Sequence, residues 1–120
     1  KGLAPDAFSY NAALAACEKG RRGTLACELL HEMEAKGLKP SSYSHSCVIR
    51  ACEKGREWEK AIEIFSAMEV KGVRPQDVAY SSAISACGKV GRWEQALQLL
   101  REMDSKGLKP NVFCYNSAIA

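Results

Sequence analysis

The chain has 120 residues, of which 47% are apolar, and its 17 basic and 14 acidic side chains leave a formal charge of +3. That charge is mild and well short of a polybasic tail, so the totals alone neither require nor exclude a polyanionic partner. No apolar run approaches the length of a membrane span, which argues against membrane insertion.

The chain opens on Lys1-Gly2-Leu3-Ala4-Pro5, and the same connector returns as Lys36-Gly37-Leu38-Lys39-Pro40, Lys71-Gly72-Val73-Arg74-Pro75 and Lys106-Gly107-Leu108-Lys109-Pro110. The prolines fall 35 residues apart, and Cys17, Cys52 and Cys87, then Ala26, Ala61 and Ala96, then Met33, Met68 and Met103 keep that register without a gap. A fixed period of this size marks a repeat array, whose units bury their core between neighbours rather than around one centre.

Within the first unit, Tyr10, Ala13, Leu14 and Cys17 mark the apolar stripe of a helix, here helix A, over Asp6 to about Lys19. A break at Gly20 to Gly23 follows, then helix B with Ala26, Leu29, Leu30 and Met33. Lys36 in its last turn, Gly37 just past it and Pro40 beyond are stop signals. The second unit places Ala51 and Cys52 on helix A and Trp58, Ala61, Ile62, Phe65 and Met68 on helix B. The third has Tyr80, Ala83, Ile84 and Cys87, then Trp93, Ala96, Leu97, Leu100 and Met103. Small Ala26, Ala61 and Ala96 should let the paired helices approach closely. Gly23-Thr24, standing where the other units have Trp58-Glu59 and Trp93-Glu94, suggests looser packing at the start of the first helix B.

The expected organisation is the end of a preceding repeat at 1–6, units at 7–41, 42–76 and 77–111, and the start of another at 112–120, within a longer array. The expected fold class is all-α, a right-handed α-solenoid of 35-residue helix-turn-helix repeats with a concave and a convex side.

Three of the six cysteines recur at one helical position, and Cys27, Cys47 and Cys114 fall where other units carry Ile or Ala, so they read as small buried hydrophobes with free thiols in a reducing compartment. His31 and His45 have no paired cysteines at zinc-ligand spacing, so neither metal nor cofactor is expected. No nucleophile, base and orienter series appears, and Glu18, Glu28, Glu32, Glu53, Glu59, Glu63, Glu94 and Glu102 read as solvated helix faces.

The period, the Pro-Asp-Ala-Phe-Ser-Tyr-Asn of residues 5–11, the Pro-Asn-Val-Phe-Cys-Tyr-Asn of 110–116 and the run from Ala96 to Pro110 together resemble pentatricopeptide repeats of a P-type-like array, across the whole chain. The resemblance implies modular binding of single-stranded RNA, one base per unit, in a mitochondrion or chloroplast. It implies base-reading pairs Asn11 with Ser41, Ser46 with Gln76 and Ser81 with Asn111, with Asp6 and Asn116 belonging to pairs cut off by the ends. It further implies base stacking by Phe8, Tyr43, Val78 and Phe113, and phosphate contact by Lys19, Lys54 and Lys89. Under the family code, unit three would prefer adenine, unit one a pyrimidine with cytosine first, and unit two, with His45 for the tyrosine and Gln76 in its pair, a purine read poorly. The chain direction would follow the RNA from 5′ to 3′.

Independently of the family, Asn11, Ser46, Ser81 and Asn116 form a ladder of short donors and acceptors. Their simpler role is to cap or solvate a helix start. The apolar ladder Phe8, Tyr43, Val78 and Phe113 suits stacking on bases or packing between units, and the lysines also suit a helix C-terminus. Lys36, Lys71 and Lys106 read as solvated end-of-helix charges. The competing function is a structural subunit that holds proteins in a large organellar assembly such as a ribosome.

Overall fold

The computed structural model describes residues 7–108, so the readings at Asp6, Asn111, Phe113, Cys114 and Asn116 lie outside the described residues. Six helices follow in order, α1 (Ala7–Lys19), α2 (Gly23–Ala35), α3 (Ser42–Lys54), α4 (Trp58–Val70), α5 (Asp77–Lys89) and α6 (Trp93–Ser105). Each has 13 residues. Odd-numbered helices are the A helices and even-numbered ones the B helices.

The chain reverses at each helix end by the same device. Helix B stops because Gly37, Gly72 and Gly107 take positive φ of 81°, 77° and 80°. The next amide then reaches back, as Leu38 N–H does to the Met33 carbonyl at 3.0 Å, and Val73 and Leu108 to Met68 and Met103 at 2.9 Å. This six-to-one bond satisfies a carbonyl the helix leaves open. Helix A ends in the same way with less help from glycine. Arg21 and Arg56 adopt φ of 58° and 64° where Gly91 stands in the third unit, and the Arg22, Glu57 and Arg92 amides close onto Cys17, Cys52 and Cys87.

Equivalent positions differ in burial according to what lies beside them. Ala12 and Ala16 on α1 are exposed, whereas Cys47 and Ala51 on α3, and Ser82 and Ala86 on α5, are buried at the same two positions. For these, the covering surface is the preceding hairpin: α3 packs on α1 and α2, and α5 on α3 and α4. The A helices touch one another directly, while each B helix packs on its own A helix and the next. A row in which A helices are close and B helices are bridged is a curved solenoid with the A helices on its inner side. The molecule measures 51 × 26 × 20 Å. Ala26, Ala61 and Ala96 have no accessible surface, as close helix pairing requires, and Met33, Met68 and Met103 are buried as well. Phe65 of α4 meets Tyr80 of α5 edge-on at 5.0 Å between ring centroids.

The looser packing expected at Gly23 is not found. Gly23 is buried, and a β-carbon there would lie 2.8 Å from the Cys52 Cα and 3.1 Å from its sulfur. The missing side chain lets the turn of unit one press against the end of α3. Thr24 Oγ1 adds hydrogen bonds with Glu57 at 2.6 Å and Lys60 at 3.0 Å. Trp93, by contrast, is 59% exposed.

Glu32, Lys36 and Lys106 are exposed, as expected, and Lys36 pairs with Glu32 at 3.7 Å, but several of the charges also meet tertiary partners. Tyr10 donates to Glu32 at 2.5 Å, and Lys36 lies 5.8 Å over its ring. In unit three, Tyr80 donates to Glu102 at 3.4 Å and accepts from Lys106 at 2.8 Å. Glu18 and Glu53 are likewise drawn inward to partners in the following unit, Glu53 accepting from Ser85 at 3.1 Å. A repeat places the end of one A helix beside the middle of the next, which a single-helix view of exposure misses.

Unit two lacks this tyrosine, glutamate and lysine cluster. His45 replaces the tyrosine, Ala67 the glutamate, and Lys71 turns to Glu34. His45 is fully buried; its Nδ1 is 2.9 Å from the Ser41 carbonyl, and its Nε2 has no hydrogen-bond partner among the described residues. Burial holds the imidazole pKa below its ordinary 6.5 despite the Ser41 carbonyl, which favours the charged form.

The described thiols Cys17, Cys27, Cys47, Cys52 and Cys87 are free. Cys27 and Cys52 bring their sulfurs to 3.6 Å across α2 and α3. Burial pushes the Cys87 thiol up to about 11.

Two outcomes are expected. Gly23→Ala should lower stability by about 1–3 kcal/mol in urea unfolding, through overpacking against the α3 backbone; an unchanged midpoint would contradict the close approach. Below pH 6.5 the unfolded chain binds a proton at His45 that the folded chain resists, so stability should fall as pH drops from 6.5 toward the lower folded value. His45→Phe should flatten that part of the stability profile, as measured by unfolding midpoints across the same window.

Candidate nucleic-acid interface

The predicted stacking and base-reading residues lie at the caps and in the first two turns of the A helices, and the predicted lysines in the last turns. On α3, Tyr43, Ser46, Cys47, Arg50 and Lys54 follow the three- and four-residue steps of one helical face. Four of them line a cavity of about 290 Å³ together with Glu18, Ser42, Gln76 and Val78. The predicted pair Ser46 and Gln76 thus meets in one space, flanked by the predicted stacking residues Tyr43 and Val78. Gln76 is the N-cap residue of α5, yet its side chain makes no capping bond. Its side chain therefore has no duty to the helix end.

The pair of unit one is brought together differently. Ser41 is the N-cap of α3, and its hydroxyl accepts from the Ser44 amide at 3.3 Å while the Ser44 hydroxyl accepts from the Ser41 amide at 3.2 Å. That reciprocal capping box satisfies two amides that the helix leaves open. The Ser44 hydroxyl also donates to Asn11 Oδ1, linking unit one to unit two. Asn11 and Ser41 are therefore joined through Ser44; the cap of α3 is Ser41, whereas Asn11, Ser46 and Ser81, for which the sequence left a capping role open, lie inside their helices. Ser81 of the third pair is half-buried on α5.

The apolar ladder stands open to solvent at its described positions. Phe8 is 80% exposed, Tyr43 56% and Val78 39%. Cys47 beside Tyr43 raises the phenol pKa through a hydrogen bond. Among the predicted lysines, Lys19 and Lys89 are exposed, whereas Lys54 is paired with Glu18 at 2.8 Å. Arg50 approaches the same Glu18 oxygen at 3.5 Å. The sequence alone does not single out Arg50, which has Ala15 and Ser85 at its equivalent positions, and Glu18 reads there as a solvated acid. The signal was available in the spacing, since Arg50 follows Ser46 by one helical turn.

No group of three or more metal-ligating side chains occurs among the described residues, and no described helix is long and apolar enough to cross a membrane.

A row of inward A helices presenting polar and apolar side chains at each step defines an α-helical repeat solenoid. The PPR repeat family profile matches residues 5–54 and 75–120, and a PPR repeat profile matches 43–73. The chain belongs to the PPR repeat family. It is similar to the crystal structure of pentatricopeptide repeat protein PPR10 from maize, with TM-score 0.79 and 31% identity over 98% of this chain and 17% of that one. PPR10 in complex with an 18-nt psaJ RNA element matches with TM-score 0.77, 31% identity and the same coverage. The PPR domain of Arabidopsis thaliana protein-only RNase P 1, in complex with tRNA, shares the fold with TM-score 0.85 and 21% identity over 97% of this chain and 61% of that one. The chain thus spans about 17% of the length of PPR10. Comparison with curated protein sequences finds no match.

The double duty of Ser41 has a measurable consequence. Ser41→Ala should cost about 1 kcal/mol of stability through the lost cap, and Ser41→Asp, which can cap, should recover most of it in thermal unfolding.

Proposed function

We propose that this chain binds single-stranded RNA along the row of A helices, one base per unit, as a non-catalytic adaptor of organellar transcripts in a mitochondrion or chloroplast. The observation that carries the reading is the second-unit cavity, where Ser46 and Gln76 face a common space between the exposed faces of Tyr43 and Val78. Hydrogen-bonding groups select a base by its edge, and flanking apolar faces hold it by stacking whatever its identity. The 18-nt RNA bound by PPR10 supports RNA as the polymer. Under the family code, unit one takes a pyrimidine, cytosine first, unit three adenine through Ser81 and Asn111, and unit two a purine through Ser46 and Gln76.

A second reading, a scaffold that holds proteins in an organellar assembly, draws on one observation. Asn11 Oδ1 and the Ser41 hydroxyl are already engaged with Ser44, so part of unit one's hydrogen-bonding capacity is committed within the protein.

Selection from a randomised single-stranded RNA pool separates the two. Base reading predicts an enriched sequence whose preference shifts at one position when Asn11 becomes Ala and at another when Ser81 becomes Ala. Absence of enrichment, or enrichment that both substitutions leave unaltered, would favour the scaffold.

A further inference from the structure

We propose that Arg50, oriented by Glu18, forms an anion seat on the floor of the second-unit cavity and takes the phosphate of the nucleotide whose base lies between Tyr43 and Val78. The inference rests on the RNA-binding reading above and deepens it at one unit. Position 50 is occupied by Ala15 in unit one and Ser85 in unit three, so only this unit carries a cation one turn below its base-reading serine. In unit three the equivalent carboxylate, Glu53, is answered by the Ser85 hydroxyl at 3.1 Å and the floor is uncharged at that residue.

The electrostatics favour an anion despite the carboxylate. Arg50 at 3.5 Å and Lys54 at 2.8 Å share a single oxygen of Glu18, so two cations face one anion and the cluster keeps a net positive charge. Lys54 is the closer partner and does most of the neutralising. The guanidinium has five N–H donors in a fixed fork, of which this long contact engages few. It is 41% exposed, while Glu18 is 19% exposed, so the cation rather than the anion faces solvent. A planar fork presented at the edge of a cavity is suited to two phosphate oxygens at once. Glu18 then acts as a positioning residue that holds the long arginine chain along the floor and reduces the ordering needed on binding.

The position also bears on selectivity. Unit two has the pair expected to discriminate least, and a backbone contact would hold the RNA in register there without regard to base. The weak reader becomes an anchor.

The test measures affinity for a labelled single-stranded RNA of random sequence over a series of potassium chloride concentrations. Each phosphate contact contributes about 0.7 to the salt slope for single strands. Arg50→Ala should therefore lower the slope by about 0.7 and weaken binding about 5-fold near 0.1 M salt, equally for pools of different base composition. Arg50→Lys should keep the slope, and Glu18→Gln, which frees the guanidinium from its orienting carboxylate, should weaken binding when Arg50 is present but not in the Arg50→Ala variant. A merely structural role for Arg50 would lower the unfolding temperature and leave the slope as it was, which overturns the proposal. If the unsubstituted chain binds RNA with selectivity that Asn11→Ala alters but Arg50→Ala leaves the slope unmoved, the anion seat fails and the RNA reading stands. If the unsubstituted chain has no affinity for RNA, both fail.

Discussion

Each hairpin of this protein has one face too many. A helix pair can bury the surfaces it turns inward, but the A helix also carries a second apolar or small-residue face that only a preceding hairpin can cover. The contrast between exposed Ala12 and Ala16 and buried Cys47, Ala51, Ser82 and Ala86 makes the dependence visible, because the positions are equivalent and only the neighbour differs. Stability is then a sum of hairpins and the interfaces between them. The interfaces depend on small groups: Ala26, Ala61 and Ala96 within hairpins, and Gly23 between them.

That stacking constraint also sets the geometry of the groove. Since the A helices touch directly and the B helices are bridged, the first turns of the A helices are brought into one line. Residues from consecutive units then share a cavity: Ser46 belongs to α3, Gln76 to the cap of α5 and Glu18 to the end of α1. A binding position is thus an inter-unit object. Its polar groups do structural work as well, which explains how Ser41 can cap α3, exchange bonds with Ser44 and still lie beside Asn11.

The second unit departs from its neighbours in a coordinated way. Tyrosine, glutamate and lysine form a cluster in units one and three, and in unit two both the tyrosine and the glutamate are replaced, by His45 and Ala67. A tyrosine hydroxyl reaches out to a carboxylate and a lysine at the hairpin edge, whereas the shorter imidazole stays inside and bonds to the Ser41 carbonyl. Lys71, without the tyrosine, pairs with Glu34 of the preceding unit. The same unit carries Arg50 where the others are neutral. Its chemistry has moved from the hairpin edge toward the neighbouring units and the groove.

Much of this was legible in the sequence because it depends on local periodicity. The 35-residue register, the helix stops at Gly37, Gly72 and Gly107, and the burial of Ala26, Met33 and their equivalents follow from spacing and backbone chemistry that any isolated stretch expresses. What the tertiary structure alone decided concerns pairs separated by a whole unit. Gly23 reads as a packing defect until Cys52 is found against it, and Glu18 reads as a solvated acid until Arg50 and Lys54 arrive from the next helix. Periodicity specifies which face of a helix is apolar, whereas the distance of closest approach between units, and hence which side chains share a charge or a cavity, emerges only when the hairpins are stacked.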